Sequence, residues 1–95
     1  MSISLCVLLW PKPGMASSLT AYEDKVLRLI ADHGGRLLQR AITDGAEGHP
    51  LEVQMLTFES QDALDGYMSD ERRLALAGER DRAVARTEMM RVSLL

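Results

Sequence analysis

Hydrophobic side chains occupy both alternations of the first segment. Ile3, Leu5, Val7 and Leu9 fall on one parity, and Cys6, Leu8 and Trp10 on the other, before Pro11-Lys12-Pro13-Gly14 ends the run. Such a segment predicts a strand, Ile3 to Trp10, that needs cover on both faces. From Leu19 to His33 the period changes. Leu19, Tyr22, Val26, Leu29 and Ile30 recur at three- and four-residue spacing, with Asp24, Lys25, Arg28 and Asp32 opposite, the pattern of an amphipathic helix. Ser17 or Ser18 is placed to cap it, and Gly34-Gly35 to end it. Arg36 to Thr43 reads as a more polar strand, Asp44 to Pro50 as a hairpin loop, and Leu51 to Phe58 as a third strand. Ser60 and Asp62 open a second helix with Leu64, Tyr67 and Met68 on its apolar side, and Ser69-Asp70 marks a second cap that breaks it. Leu74, Ala77 and Val84 continue the inner face to about Arg86, and Thr87 to Leu95 is expected as the fourth strand.

The order βαββαβ predicts an α+β, ferredoxin-like domain spanning residues 1–95, in which two helices cover one face of a four-stranded antiparallel sheet. The second and fourth strands should be its edges, in keeping with the charges Arg36, Arg40, Glu88 and Arg91. If Leu56 and Phe58 point to the helices, Val53, Met55 and Thr57 point away. With Met90, Val92 and Leu94 inward on the fourth strand, Met89, Arg91, Ser93 and Leu95 join the open face. Together with Cys6, Leu8 and Trp10 these form an apolar patch too large for a soluble monomer to leave in water. A second copy of the same sheet is the simplest cover, so a homodimer is expected.

Composition narrows the partners. A net charge of −3 with both signs interspersed provides no basic stripe for nucleic acid and no polybasic segment for an anionic membrane. The one cysteine, Cys6, has no internal disulfide partner, which suits a reducing, cytoplasmic setting. The apolar start lacks a basic flank and a small-residue cleavage site, so it is not expected to be a signal peptide. Cys6, His33 and His49 lack metal-ligand spacing. No glycine-rich phosphate loop or nucleophile elbow is present, so no cofactor is expected.

For a ligand site the best constellation is Trp10, Met55, Met89 and Arg91 on the open face: an aromatic wall, two adaptable thioethers and a cation. Its competing reading is interface packing, with Arg91 paired to Glu59 or to an acid of the second copy. His33 and Tyr22 are possible proton carriers beside Arg91, although a histidine at a helix C-terminus is also an ordinary dipole partner, and His49 falls in an exposed loop.

The junction Phe58-Glu59-Ser60, leading into a helix with Tyr67 and then Ser69-Asp70-Glu71, resembles the dimeric α+β-barrel superfamily, in particular small domains related to antibiotic-biosynthesis-monooxygenase-like proteins. Arg80 aligns with a helical arginine of those proteins. The resemblance implies a homodimer holding a small apolar or aromatic molecule. The alternative it implies is a cofactor-free monooxygenase, isomerase or cyclase acting on an aromatic or polyketide-like substrate. Sequence leaves catalysis open, because what separates the two is a polar group inside the pocket with a displaced pKa.

Overall fold

A computed structural model of the chain describes residues 2–95. Four antiparallel strands, β1 (Ile3–Pro11), β2 (Gly35–Ile42), β3 (Glu52–Phe58) and β4 (Val84–Val92), lie in the order β2-β3-β1-β4. The helices α1 (Ala16–Leu27), α2 (Gln61–Met68), α3 (Glu71–Leu74) and α4 (Ala77–Ala83) connect them. The fold is ferredoxin-like, with β1 and β3 central and β2 and β4 at the edges, as the charge distribution predicts.

The first helix differs from expectation at both ends. It begins at Ala16, so Ser17 and Ser18 lie within its first turn and Met15 stands at the cap without a side-chain hydrogen bond. Its last turn is a separate, tighter 3₁₀ turn, Ile30–His33, closed by Gly34 at φ 68°. A Cβ on Gly35 would fall 2.6 Å from the Phe58 ring and 2.9 Å from the Ile30 carbonyl oxygen. That proximity, together with Glu59 N–H donating to the Gly34 carbonyl at 3.1 Å, fixes the helix exit against β3. The second helical region follows its capping signals closely. Ser60 accepts from Ala63 N–H at 3.1 Å, and Asp70 accepts from Arg72 N–H at 2.8 Å where α3 begins.

Leu5, Val7 and Leu9 of β1, Leu56 and Phe58 of β3, and Leu19, Tyr22, Val26 and Ile30 above them make the core, and all are buried. Leu74, expected there, is exposed, as is Ala77, because the short helices α3 and α4 turn those positions outward. Val84 is buried, but as the first residue of β4.

That early start corrects the phase of β4. Lys12 N–H donates to the Ala83 carbonyl at 2.9 Å, Pro11 pairs with Val84, and a bulge at Trp10/Pro11 sets the register from there. Arg91 therefore pairs with Leu5, Met89 with Val7 and Thr87 with Leu9, all on the helix side. Met90, Glu88 and Arg86 pair with Cys6, Leu8 and Trp10 on the open face. The apolar pair Met89-Met90 carries no alternation of its own, and a one-residue shift in strand register exchanges every face assignment.

Candidate functional site

Between sheet and helices lies a cavity of about 90 Å³. Val7 and Leu9 of β1, Leu56 of β3, Leu27 of α1, Leu64 of α2 and Met89 of β4 supply its apolar walls. Glu23, Gln54, Tyr67, Met68, Arg73, Arg80 and Thr87 complete it. Met68, Arg73 and Arg80 also line an outer groove of about 270 Å³ with Tyr22, Leu74, Ala77 and Asp81, so the enclosed apolar space and the groove share a rim that carries both arginines.

The polar side chains are ordered by pairing. Glu23 sits in the α1 stripe between Leu19 and Val26 and is only 6% exposed. Gln54 follows the inward parity of β3 and is 1% exposed. Its Nε2 donates to Glu23 Oε1 at 2.8 Å and to Glu52 Oε1 at 2.9 Å, so one amide group holds two carboxyl groups. Glu52 is fully buried and receives Arg40 Nε, whose guanidinium also reaches Asp24 Oδ1 at 2.6 Å and the Thr20 carbonyl at 3.3 Å. Arg40 was expected as an edge charge, and it instead folds over the helix side to neutralise a buried acid. Glu52 Oε2 is buried without a hydrogen-bond partner among the described residues.

Burial pushes the Glu23 carboxyl above the ordinary carboxylate range; the Gln54 hydrogen bond and the Arg40 and Arg73 charges oppose this, and the Glu52 charge adds to it. Of the two cavity-wall carboxyl hydrogen-bond positions, only Oε1 is used among the described residues. Burial likewise raises the phenols of Tyr22 and Tyr67. Arg73 stands over the Tyr67 ring at 5.1 Å, an orientation in which the quadrupole of the ring attracts the cation.

The constellation expected from sequence is not brought together. Trp10 and Met55 are on the open face, where the Trp10 indole donates to the Gly48 carbonyl at 2.8 Å and carries the Arg86 guanidinium at 4.4 Å from its centroid. Met89 is on the opposite side of the sheet, in the cavity wall. Arg91 is also on that side, away from the cavity, and bonds Gln61 rather than Glu59. Tyr22 lines the outer groove. His33 Nε2 meets Asp70 Oδ2 at 2.7 Å outside the cavity lining, and His49 is exposed. Among the described residues no group of three or more His, Cys, Asp or Glu side chains could hold a metal ion, and no helix is long and apolar enough to cross a membrane.

Glu23, Gln54 and Arg73 were missed by the sequence reading. Their signal was present as a violation of pattern: an acid inside the α1 apolar stripe, and Gln54 in phase with Leu56 and Phe58.

No family model matches the chain, and no curated protein matches it. Solved structures do. A protein of unknown function from Rhodopseudomonas palustris superposes with a TM-score of 0.78 at 17% identity, over 99% of this chain and 82% of that one. A dimeric protein of unknown function with a ferredoxin-like fold from Bacteroides fragilis gives 0.75 at 9% identity, over 98% and 96%. A dabb family protein with a ferredoxin-like fold from Mesorhizobium loti gives 0.71 at 12%, over 99% and 97%. At these identities the likeness establishes the fold.

Proposed function

We propose that two copies of this chain pair through their open sheet faces as a dimeric α+β barrel, and that each subunit performs proton transfer on a small carbonyl compound held between sheet and helices. The observation that carries the chemistry is Glu23, a carboxyl group in an apolar cavity, held by Gln54 and raised by burial. A base with an elevated pKa in a dry site is a stronger proton acceptor near neutral pH than an exposed carboxylate. Isomerisation and cyclisation, two of the reactions implied by the resemblance to antibiotic-biosynthesis-monooxygenase-like proteins, can both begin with removal of a proton next to a carbonyl. Glu23 takes that proton as the C–H bond breaks, and the electron pair moves onto the carbonyl oxygen to form an enolate. Isomerisation is completed when the protonated Glu23 returns the proton at a different carbon. Arg73, within electrostatic reach of Glu23, favours the negative charge of the intermediate.

Support for the dimer is separate. Cys6, Leu8, Val53, Met55 and Met90 form a contiguous apolar surface on the open face, and the Bacteroides fragilis neighbour is described as dimeric. Four strands about 4.8 Å apart and about 23 to 30 Å long present roughly 500 Å² in projection, of the order of the roughly 800 Å² of accessible surface each partner contributes to a standard interface.

The test of the chemistry is deuterium wash-in at carbons next to the carbonyl of short-chain ketones and keto acids, followed by NMR. The expected result is exchange above the buffer rate that falls at least about a hundredfold in Glu23→Gln, the usual scale of a general base. Exchange that is unchanged in a folded Glu23→Gln, or absent across compounds that bind the cavity, overturns the reading.

A further inference from the structure

We propose that the molecule taken by this site is a small monocarboxylate whose apolar body enters the cavity while its carboxylate is held at the rim by Arg73 and Arg80. The proposal rests on reading the cavity as a ligand site and adds the charge and shape of the ligand.

Arg40, Arg73 and Arg80 are the half-buried arginines of the chain. Arg40 is matched to Glu52 and Asp24. Arg73 and Arg80 form no ion pair among the described residues, and the other unpaired arginines, Arg28, Arg36, Arg82 and Arg91, are exposed. Water compensates an exposed cation, whereas a cation partly withdrawn from water without a counter-charge carries a desolvation cost. Arg73 Nε is in addition buried with no hydrogen-bond partner among the described residues, while Arg80 spends one donor on Thr87 Oγ1 at 3.2 Å. Both residues line the cavity and the groove outside it. They come from different elements, Arg73 from α3 and Arg80 from α4.

The acids nearby explain why the ligand carries one charge. Lys25 occupies Glu79 at 2.9 Å, which leaves Asp81 on the groove and Glu23 within the cavity. Two guanidinium groups against the one unpaired acid on the groove, Asp81, leave a single positive charge at the rim, which a monocarboxylate matches and a dianion would exceed. Guanidinium groups also match carboxylate geometry, each able to give two parallel N–H donors. Size follows from the cavity: about 90 Å³ is smaller than the roughly 150 Å³ apolar cavity known to enclose benzene in another protein. The enclosed part of the ligand is therefore a short branched alkyl group, with the carbonyl near Glu23 and the carboxylate at the rim.

The experiment titrates α-ketoisocaproate, its methyl ester and methyl isobutyl ketone into the intact protein, following by NMR the methyl groups of Val7, Leu56 and Met89. The expected result is that the acid shifts these methyls and binds about tenfold to a hundredfold tighter than the ester or ketone, the scale of hydrogen bonds to a charged group. Arg80→Gln should narrow that preference at least about fivefold, and Arg73→Lys should do so less, because it keeps the charge and loses the fork. The acid–ester comparison uses unaltered protein, so it stands even if an arginine variant misfolds. Cavity shifts with equal affinity for acid and ester overturn the carboxylate proposal and leave the cavity reading intact. Absence of cavity shifts with all three compounds overturns both.

Discussion

Gln54→Met replaces one amide group with an apolar side chain of similar shape and only slightly larger volume, so it isolates what that amide does. Gln54 is 1% exposed, and its Nε2 is the only side-chain donor to Glu23 and one of two donors, with Arg40, to the fully buried Glu52 among the described residues. Losing a partner leaves a buried polar group unsatisfied at about 1 to 3 kcal/mol each, and more where the acceptor is charged. Two carboxyl groups lose a bond here. Part of this is recovered because the Glu23 pKa rises when the bond is lost, so about 2 to 4 kcal/mol is expected near pH 7. A domain of 95 residues has a total stability of about 5 to 14 kcal/mol, so the variant should fold while showing a large change. The pH dependence carries the sharper test. Because the Gln54 hydrogen bond lowers the Glu23 pKa against burial, removing it raises that pKa further. A carboxyl whose folded pKa lies above its unfolded value destabilises the fold as pH rises through the window between them. The destabilisation by Gln54→Met should therefore shrink below the ordinary carboxylate range and grow toward neutral pH in urea titrations. A loss under about 0.5 kcal/mol, or one independent of pH, would refute the account of the network.

Val26 is 1% exposed in the α1 stripe, and Val26→Ala should cost about 1 to 3 kcal/mol in a denaturant titration by deleting buried methyl groups; no measurable change would mean that α1 packs through another face. Leu8→Asp places a charge at the centre of the open face, and light scattering should show the proposed dimer replaced by a monomer of unchanged circular dichroism; a variant that remains dimeric would exclude this face as the interface. Asp70 is held well below the usual carboxylate range by hydrogen bonds from Arg72 and His33, so its contribution is complete above the unfolded carboxylate pKa and fades as pH falls toward the lowered folded value. Asp70→Asn should accordingly destabilise most at neutral pH and progressively less in acid, and a difference constant across thermal melts from pH 7 to about pH 2 would contradict that pairing.

The sequence marked elements well wherever a local rule has one outcome. Ser60 and Asp70 are caps in the structure because a short acceptor before a helix satisfies free N–H groups locally, and Gly34 adopts the left-handed turn that ends a helix. The open face of β1 and β3 was legible because Leu5, Val7 and Leu9 alternate against Cys6 and Leu8, and Leu56 and Phe58 against Met55. β4 was not legible, since Met89 and Met90 satisfy either phase and the choice is made at a distance, where Pro11 meets Val84. That single register moved Met89 and Arg91 across the sheet and separated the expected ligand constellation. Arg40 illustrates a second limit: its edge-strand position was read correctly, but its burial partner Glu52 belongs to another strand and cannot be found from spacing alone.

The same register divides the sheet between its two proposed roles. Residues of even number on β1, Cys6 and Leu8, face the surface assigned to the second copy, while Val7 and Leu9 between them wall the cavity. The proposed dimer interface and the proposed ligand site would thus be separated by one strand's thickness. Pairing of the open faces would restrain β1 and β3 from behind and hold Gln54, whose amide sets Glu23, at a fixed distance from the helices that carry Arg73 and Arg80. A site built this way places its proton acceptor on α1, its orienting amide on β3 and its cations on α3 and α4, so geometry between layers, rather than any short motif, defines it. This is the physical reason that the proposed chemistry is sought in an acid within an apolar helical stripe rather than in a short motif.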